Sequence, residues 1–170
     1  MHATTIATQD YALQSASLAI GFNDRFELSV ATQVFKGTSG ALNNIKIKED
    51  IFGIKFKLIG DAVYKQDSAL TQISIGAMVK HHKGITDLGA VTNVKQLGAA
   101  HDQGIDYYLA AKKILLKQSI LLNGTVRLTK ANQTGLSGFG GDLHDRYRPM
   151  AEISTAYLIN RQWAAGANIV

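Results

Sequence analysis

FGIKFKLIGDAVY, residues 52–64, sets Phe52, Ile54, Phe56, Leu58, Ala62 and Tyr64 against Gly53, Lys55, Lys57 and Asp61. Successive side chains of a strand point to opposite faces, so this period of two describes a strand with one greasy and one polar side. The same rhythm spreads outward in both directions. Upstream, Phe26, Leu28, Val30, Thr32 and Val34 oppose Glu27, Ser29, Ala31 and Gln33. Downstream, Ile73, Ile75, Ala77 and Val79 oppose Gln72, Ser74, Gly76 and Lys80; Ile105, Tyr107, Leu109 and Ala111 oppose Asp106, Tyr108, Ala110 and Lys112. Ile120, Leu122, Val126 and Leu128 oppose Asn123, Thr125, Arg127 and Thr129, and Ile153, Thr155, Tyr157 and Ile159 oppose Glu152, Ser154 and Ala156. Residues 11–22 alternate less cleanly, residues 2–8 read as part of one more strand, and a last strand begins at Trp163. Helical spacing is nearly absent. The fold class is therefore all-β, an antiparallel up-and-down barrel with about eight or nine strands in one domain over 1–170.

The connections carry a second signal. Short turns are expected at Asn23-Asp24-Arg25, Lys65-Gln66-Asp67-Ser68, Lys117-Gln118 and Asn160-Arg161, and long ones at 38–48, 83–103 and 133–146. Strict alternation would gather the short turns at one end of the barrel and the long loops at the other, as in outer-membrane barrels. Most segments run for ten to fourteen residues, against about 9–11 for a tilted strand that crosses a bilayer.

Composition excludes several classes. No cysteine is present, so neither disulfides nor cysteine metal sites arise. No apolar run reaches the roughly 18 residues of a transmembrane helix, which leaves spanning strands open. Charged residues are 18% of the chain, below the roughly 25% of soluble domains. The net charge is +5, but the Lys and Arg residues are scattered without a basic helix or base-stacking motif, which argues against nucleic acid. Met1 is not followed by a secretory signal pattern, so an outer-membrane reading expects a mature or truncated sequence.

Which face is outside decides the function. The polar face is made of Gly, Ala, Ser, Asn, Thr and Gln with single charges: Glu27, Lys55, Lys57, Asp61, Lys80, Asp106, Lys112, Arg127 and Glu152, four acids and five bases. Small residues with nearly balanced charges suit a barrel lumen, where an unpaired buried charge is costly. Phe22, Phe26, Tyr64 and Trp163 fall beside short turns; Tyr11, Phe35, Phe52, Tyr107 and Tyr147 fall beside long loops. Two aromatic bands are the pattern of interfacial girdles, with Phe22, Phe26, Phe52, Tyr64, Tyr107 and Trp163 as its members. The expectation is a transmembrane barrel of the bacterial outer membrane, in contact with lipid and lipopolysaccharide. It carries no enzyme activity or cofactor, and acts as a small porin-like channel for a small solute or as a structural barrel. The alternative is a soluble lipocalin-like barrel that holds a small hydrophobic ligand inside.

FGIKFKLIGDAVYKQDS, LLKQSILLNGTVRLTKANQTGLSGFGGD and YRPMAEISTAYLINRQWAAGA resemble a proteobacterial family of predicted outer-membrane barrels catalogued as a domain of unknown function. The likeness runs from about Tyr11 to Ala167 and is most specific over Asn123–Gly141. It implies a longer protein, of which this chain is a fragment truncated at both ends, and it brings no catalytic residue, ligand or partner.

Three local features invite other chemistry. The glycines of LSGFGGDLHDRYR (136–148) suggest a phosphate cradle, but no helix N-terminus with Lys-Ser or Lys-Thr follows, so a flexible external loop is expected. Asp142, His144 and Asp145 are a weak candidate for a divalent cation. His81 and His82 point to opposite faces and, with Lys80 and Lys83, read as a basic rim. A lipid-hydrolysing pair of Ser74 with His81 or His82, or a role for His144, is a minor option.

Overall fold

A computed structural model describes residues 1–40, 43–61, 71–141, 145–160 and 162–169. Nine strands form one sheet in chain order: β1 (His2–Ala7), β2 (Tyr11–Phe22), β3 (Phe26–Gly37), β4 (Lys46–Ile59), β5 (Gln72–Thr86), β6 (Gln103–Leu115), β7 (Ile120–Thr129), β8 (Arg148–Leu158) and β9 (Ala164–Ile169). Every neighbour pair is antiparallel. The sheet curls into a half-barrel, and its described edges are β1 and β9.

The alternation becomes two faces. Cross-strand partners share a face, so the register aligns Leu28, Ile54, Ala77, Tyr107 and Leu128 in one row and Phe26, Phe56, Ile75, Leu109 and Val126 in the next. This is the outer side of the curl: Val30, Phe52, Ile54, Phe56 and Val79 keep between 41% and 50% of their surface exposed. Toward the long-loop end the apolar band stops abruptly. The row Val30–Phe52–Val79–Ile105 is followed by Thr32–Asp50–His81–Gln103.

Three features differ from the sequence reading. β4 starts at Lys46 and stops at Ile59, so its connection to β5 covers 60–71 rather than a four-residue turn. The β1–β2 connection at the opposite end is only 8–10. The short–long alternation is therefore incomplete: Gly60, with φ 77°, lies against the Thr71 backbone, so positions 60 and 71 come together at the end of the β4–β5 pair. Residues 62–70, with Ala62, Tyr64 and the expected turn at 65–68, lie outside the described residues, as does Arg161. Tyr11 and Phe35 stack at 5.4 Å on the inner face instead of joining an outer aromatic band, because Leu13 pairs with Phe35 two residues from Tyr11. The Asn23-Asp24 turn is as expected: both residues take positive φ (50° and 53°), a conformation that Asn and Asp tolerate best among residues with a side chain.

The inner face changes character along the strands. Near the long loops it carries an apolar row, Ile6–Leu13–Phe35–Ile47–Ile85, in register across five strands. The β5–β6 connection folds over part of this row and buries Val94, with Ile45, Ile85 and Ala99, in a small core. The Asn93 side chain and Gln96 cap each other's backbone at the 3-10 turn Val94–Leu97, which fixes that fold locally.

Candidate functional site

Below the apolar row, five consecutive strands each place one charged side chain on the inner face: Glu49 (β4), Lys80 (β5), Asp106 (β6), Arg127 (β7) and Glu152 (β8). The signs alternate from one strand to the next. Each member stands two residues from its neighbour's register partner, so the line runs oblique to the strands. Strand tilt in a barrel makes any level ring run obliquely in this way. Lys80 Nζ lies 2.9 Å from Asp106 Oδ2, and Arg127 Nη1 lies 3.7 Å from the same oxygen. Arg127 Nη2 pairs with Glu152, and the Thr129 hydroxyl donates to Asp106 Oδ1. Glu49 and Asp106 are fully buried and Lys80 is 3% exposed. Charges this deep are tolerable because each except Glu49 has a partner of opposite sign. Both Glu49 oxygens are without a hydrogen-bond donor among the described residues.

The β7–β8 connection roofs the ladder. Above Tyr107–Leu128 the β6–β7 ladder ends, and Phe139 enters the gap, bridging His101 on one side and Ala131 on the other. Its ring lies over Gly104, where any Cβ would collide with it, and Phe139 is 2% exposed. The Lys80 ammonium also donates to the Thr134 carbonyl at 2.6 Å. Gly135 sits against Glu49, and a Cβ there would strike its carboxylate. The expected flexible external loop is therefore, over 130–141, a segment packed into the half-barrel. The reason is side-chain room: glycines at 135, 138 and 141 let the backbone approach where a Cβ could not fit.

A family model described as Protein of unknown function (DUF3034) matches residues 1–169. The chain belongs to this family. No curated protein and no solved structure matches it. The DUF3034 description assigns no activity, so the site must be read from its own geometry.

In this DUF3034 chain the residues singled out from sequence fall into two groups and one outlier. Lys80, Asp106, Arg127 and Glu152 join the ladder. Glu27 and Lys55 pair at 2.8 Å nearer the short-turn end, with Lys57, Asp61, Arg25, Asp24 and Gln72 around a pocket of ≈ 310 Å³. Lys112 shares the inner face opposite Asn123 and Gln72, apart from both groups. Phe22 and Phe26 approach at 6.3 Å beside the 23–25 turn, and Trp163 lies exposed before β9. Phe52 stands at the loop-end limit of the outer band and Tyr107 one row inside it, with Tyr147 at 6.0 Å.

The rim reading of His81, His82, Lys80 and Lys83 is corrected. His81 and Lys83 are exposed, Lys83 lying 3.5 Å from Asp50, but Lys80 and His82 are buried inside, where His82 Nδ1 accepts from the Gly84 N–H. Ser74 is eight residues along the strand from His82, about 26 Å at strand rise, so the two form no catalytic pair. His81 faces the other way. Asp142 and His144 lie outside the described residues; Asp145 pairs with Lys130 at 3.5 Å. No cluster of three metal-ligating side chains occurs among the described residues.

Glu49 and His82 were missed as members of the interior; Thr129 and Tyr108 were placed on the polar face by alternation but not singled out as site residues. Tyr108 covers Gly76 across the β5–β6 pair. For Glu49 the signal existed: Ile47, Glu49 and Ile51 alternate with Lys48 and Asp50. The loop expected at 38–48 took in the start of this strand and left Glu49 assigned to neither face.

Proposed function

We propose that this chain is an outer-membrane β-barrel protein without enzymatic activity, serving as a small channel or a structural barrel in the bacterial outer membrane. One observation carries the reading. The large apolar side chains of the outer face stand exposed on strand after strand, while Glu49, Lys80 and Asp106 are buried within the curl. In water that arrangement is upside down, because it leaves apolar area wetted at about 25 cal/mol per Å² and dehydrates charge. Against acyl chains it is the favourable one. On β7 the apolar run from Ile120 to Leu128, nine residues at about 3.3 Å each and tilted by about 40°, rises about 23 Å, close to the roughly 25 Å apolar band of such barrels. The polar row Thr32–Asp50–His81–Gln103 then lies at headgroup level, facing lipid or lipopolysaccharide. The alternative of a soluble barrel with a hydrophobic ligand inside requires the apolar face turned inward.

The test is refolding of the full chain into lipid vesicles and, separately, into plain buffer. A heat-modifiable, protease-resistant species that forms only with lipid or detergent is expected. A monodisperse monomer in buffer alone would sink the membrane reading. Planar-bilayer conductance of the inserted protein then separates channel from structural barrel.

A further inference from the structure

The two long connections that enter the half-barrel rest on opposite chemistry. The β5–β6 connection is seated on apolar side chains, with Val94 fully buried. The β7–β8 segment over 130–141 is seated on the charge ladder and, through Gly138 and Gly141, against Val94, Gly98 and Ala99 of the β5–β6 connection, and its docked form carries two penalties. The first is Glu49, enclosed beneath Gly135 with neither oxygen receiving a hydrogen bond. Lys80, Arg127 and Asp106 all act on it electrostatically. Neither cation donates to it: the Lys80 ammonium contacts Asp106 and the Thr134 carbonyl, and Arg127 contacts Glu152, Asp106 and Met150 Sδ. His82, its register partner on β5, does not donate to it either. The second penalty is Thr134, a β-branched residue held at φ 64°, ψ 5°. The left-handed region is a genuine outlier for such a side chain and is disfavoured.

We propose that residues 130–141 form a displaceable plug, held shut by Phe139 and the Lys80–Thr134 contact and kept displaceable by Glu49 and Thr134. Both penalties vanish when the segment lifts: water reaches the carboxylate and Thr134 relaxes. The β5–β6 connection, with an apolar seat and a capped 3-10 turn, stays in place. Lifting the plug uncovers the alternating ladder, so the interior gains a charged lining when it opens.

The experiment is hydrogen exchange on the full chain, in detergent micelles or, should it be soluble, in buffer. The outcome for the plug is therefore read separately from that for the membrane. Three bridging amides report: Phe139 to the His101 carbonyl and His101 to the Phe139 carbonyl, each 2.9 Å, and Ala100 to the Gly140 carbonyl at 3.4 Å. Ile85, donating to the Thr92 carbonyl, and Val91, donating to the Leu88 carbonyl, lie away from Gly138 and Gly141 and are the reference. Glu49→Gln removes the charge and keeps the shape. Thr134→Gly removes the strain, partly offset by the freedom glycine adds to the lifted state. Each is expected to slow exchange at the three bridging amides about three- to tenfold, with Ile85 and Val91 unchanged. Parent-like or faster exchange at the bridging amides in either variant, or slowing shared with Ile85 and Val91, overturns the proposal. Thr134→Gly alone decides it should Glu49→Gln fail to refold.

Discussion

On β4, Ile54 and Lys55 are adjacent in sequence and live under opposite rules. Ile54 stands on the outer face, 42% exposed, in an unbroken apolar band. Lys55 stands on the inner face, 2.8 Å from Glu27. Between the short turns and the inner apolar row the comparison repeats from strand to strand: the outer face is apolar and uncovered, and the inner face is polar, partly buried and, Glu49 apart, paired. A protein folded in water reverses that relation, since apolar area seeks cover and charge seeks solvent. Two environments meeting at one sheet are what a barrel wall in a membrane needs, and the ladder shows how the inner environment handles charge. Each acid from β6 onward is set beside a base, and only the end member, Glu49, is left over.

The largest effect is expected on the inner side. Asp106→Ala removes the acid that faces both Lys80 and Arg127 and leaves two cations dehydrated, a loss of about 3–5 kcal/mol. The readout is the midpoint of urea unfolding in vesicles, and a change under about 1 kcal/mol would show that water already reaches the ladder. Next comes the outer side. Ile54→Lys is expected to destabilise the inserted protein by about 2–4 kcal/mol, the penalty for a charge near the bilayer middle. In a water-soluble sheet the same change at an exposed site would stay within about 0.5 kcal/mol, so one variant separates the two environments. Thr129→Val removes the hydroxyl that donates to the buried Asp106 carboxylate and is expected to cost about 1.5–3 kcal/mol by the same unfolding measurement. The smallest change belongs to Lys55→Gln. The Glu27–Lys55 pair has side chains 38% and 32% exposed, so its loss is expected to cost under about 1 kcal/mol and to shrink further at high salt.

Some of this interior was legible in the chain and some was not. Glu27, Lys55, Lys80, Asp106, Arg127 and Glu152 lie at positions whose parity follows from strict alternation, and parity survives errors in strand length. Glu49 escaped because the loop expected at 38–48 ran into the strand and stopped one residue short of it, and with it went the leftover acid on which the plug proposal turns. The packing of Phe139 escaped for a different reason. Its neighbours His101, Gly104 and Ala131 come from two other parts of the chain, and a glycine-rich run announces permissive backbone without saying what will occupy the space. Likewise, the stacking of Tyr11 on Phe35 follows from the β2–β3 register, and aromatic spacing along the chain carries no trace of it.

Alternation of side chains by itself determined that this protein is an antiparallel meander with two chemically different faces, because the period of a strand is a local property of its backbone. Which acid meets which base, which end of the inner face turns apolar, and which connection folds inward were decided only by the tertiary structure. Those outcomes depend on register and curl, and on glycine gaps that match a distant ring or carboxylate. They are relations between segments tens of residues apart, which no local pattern encodes.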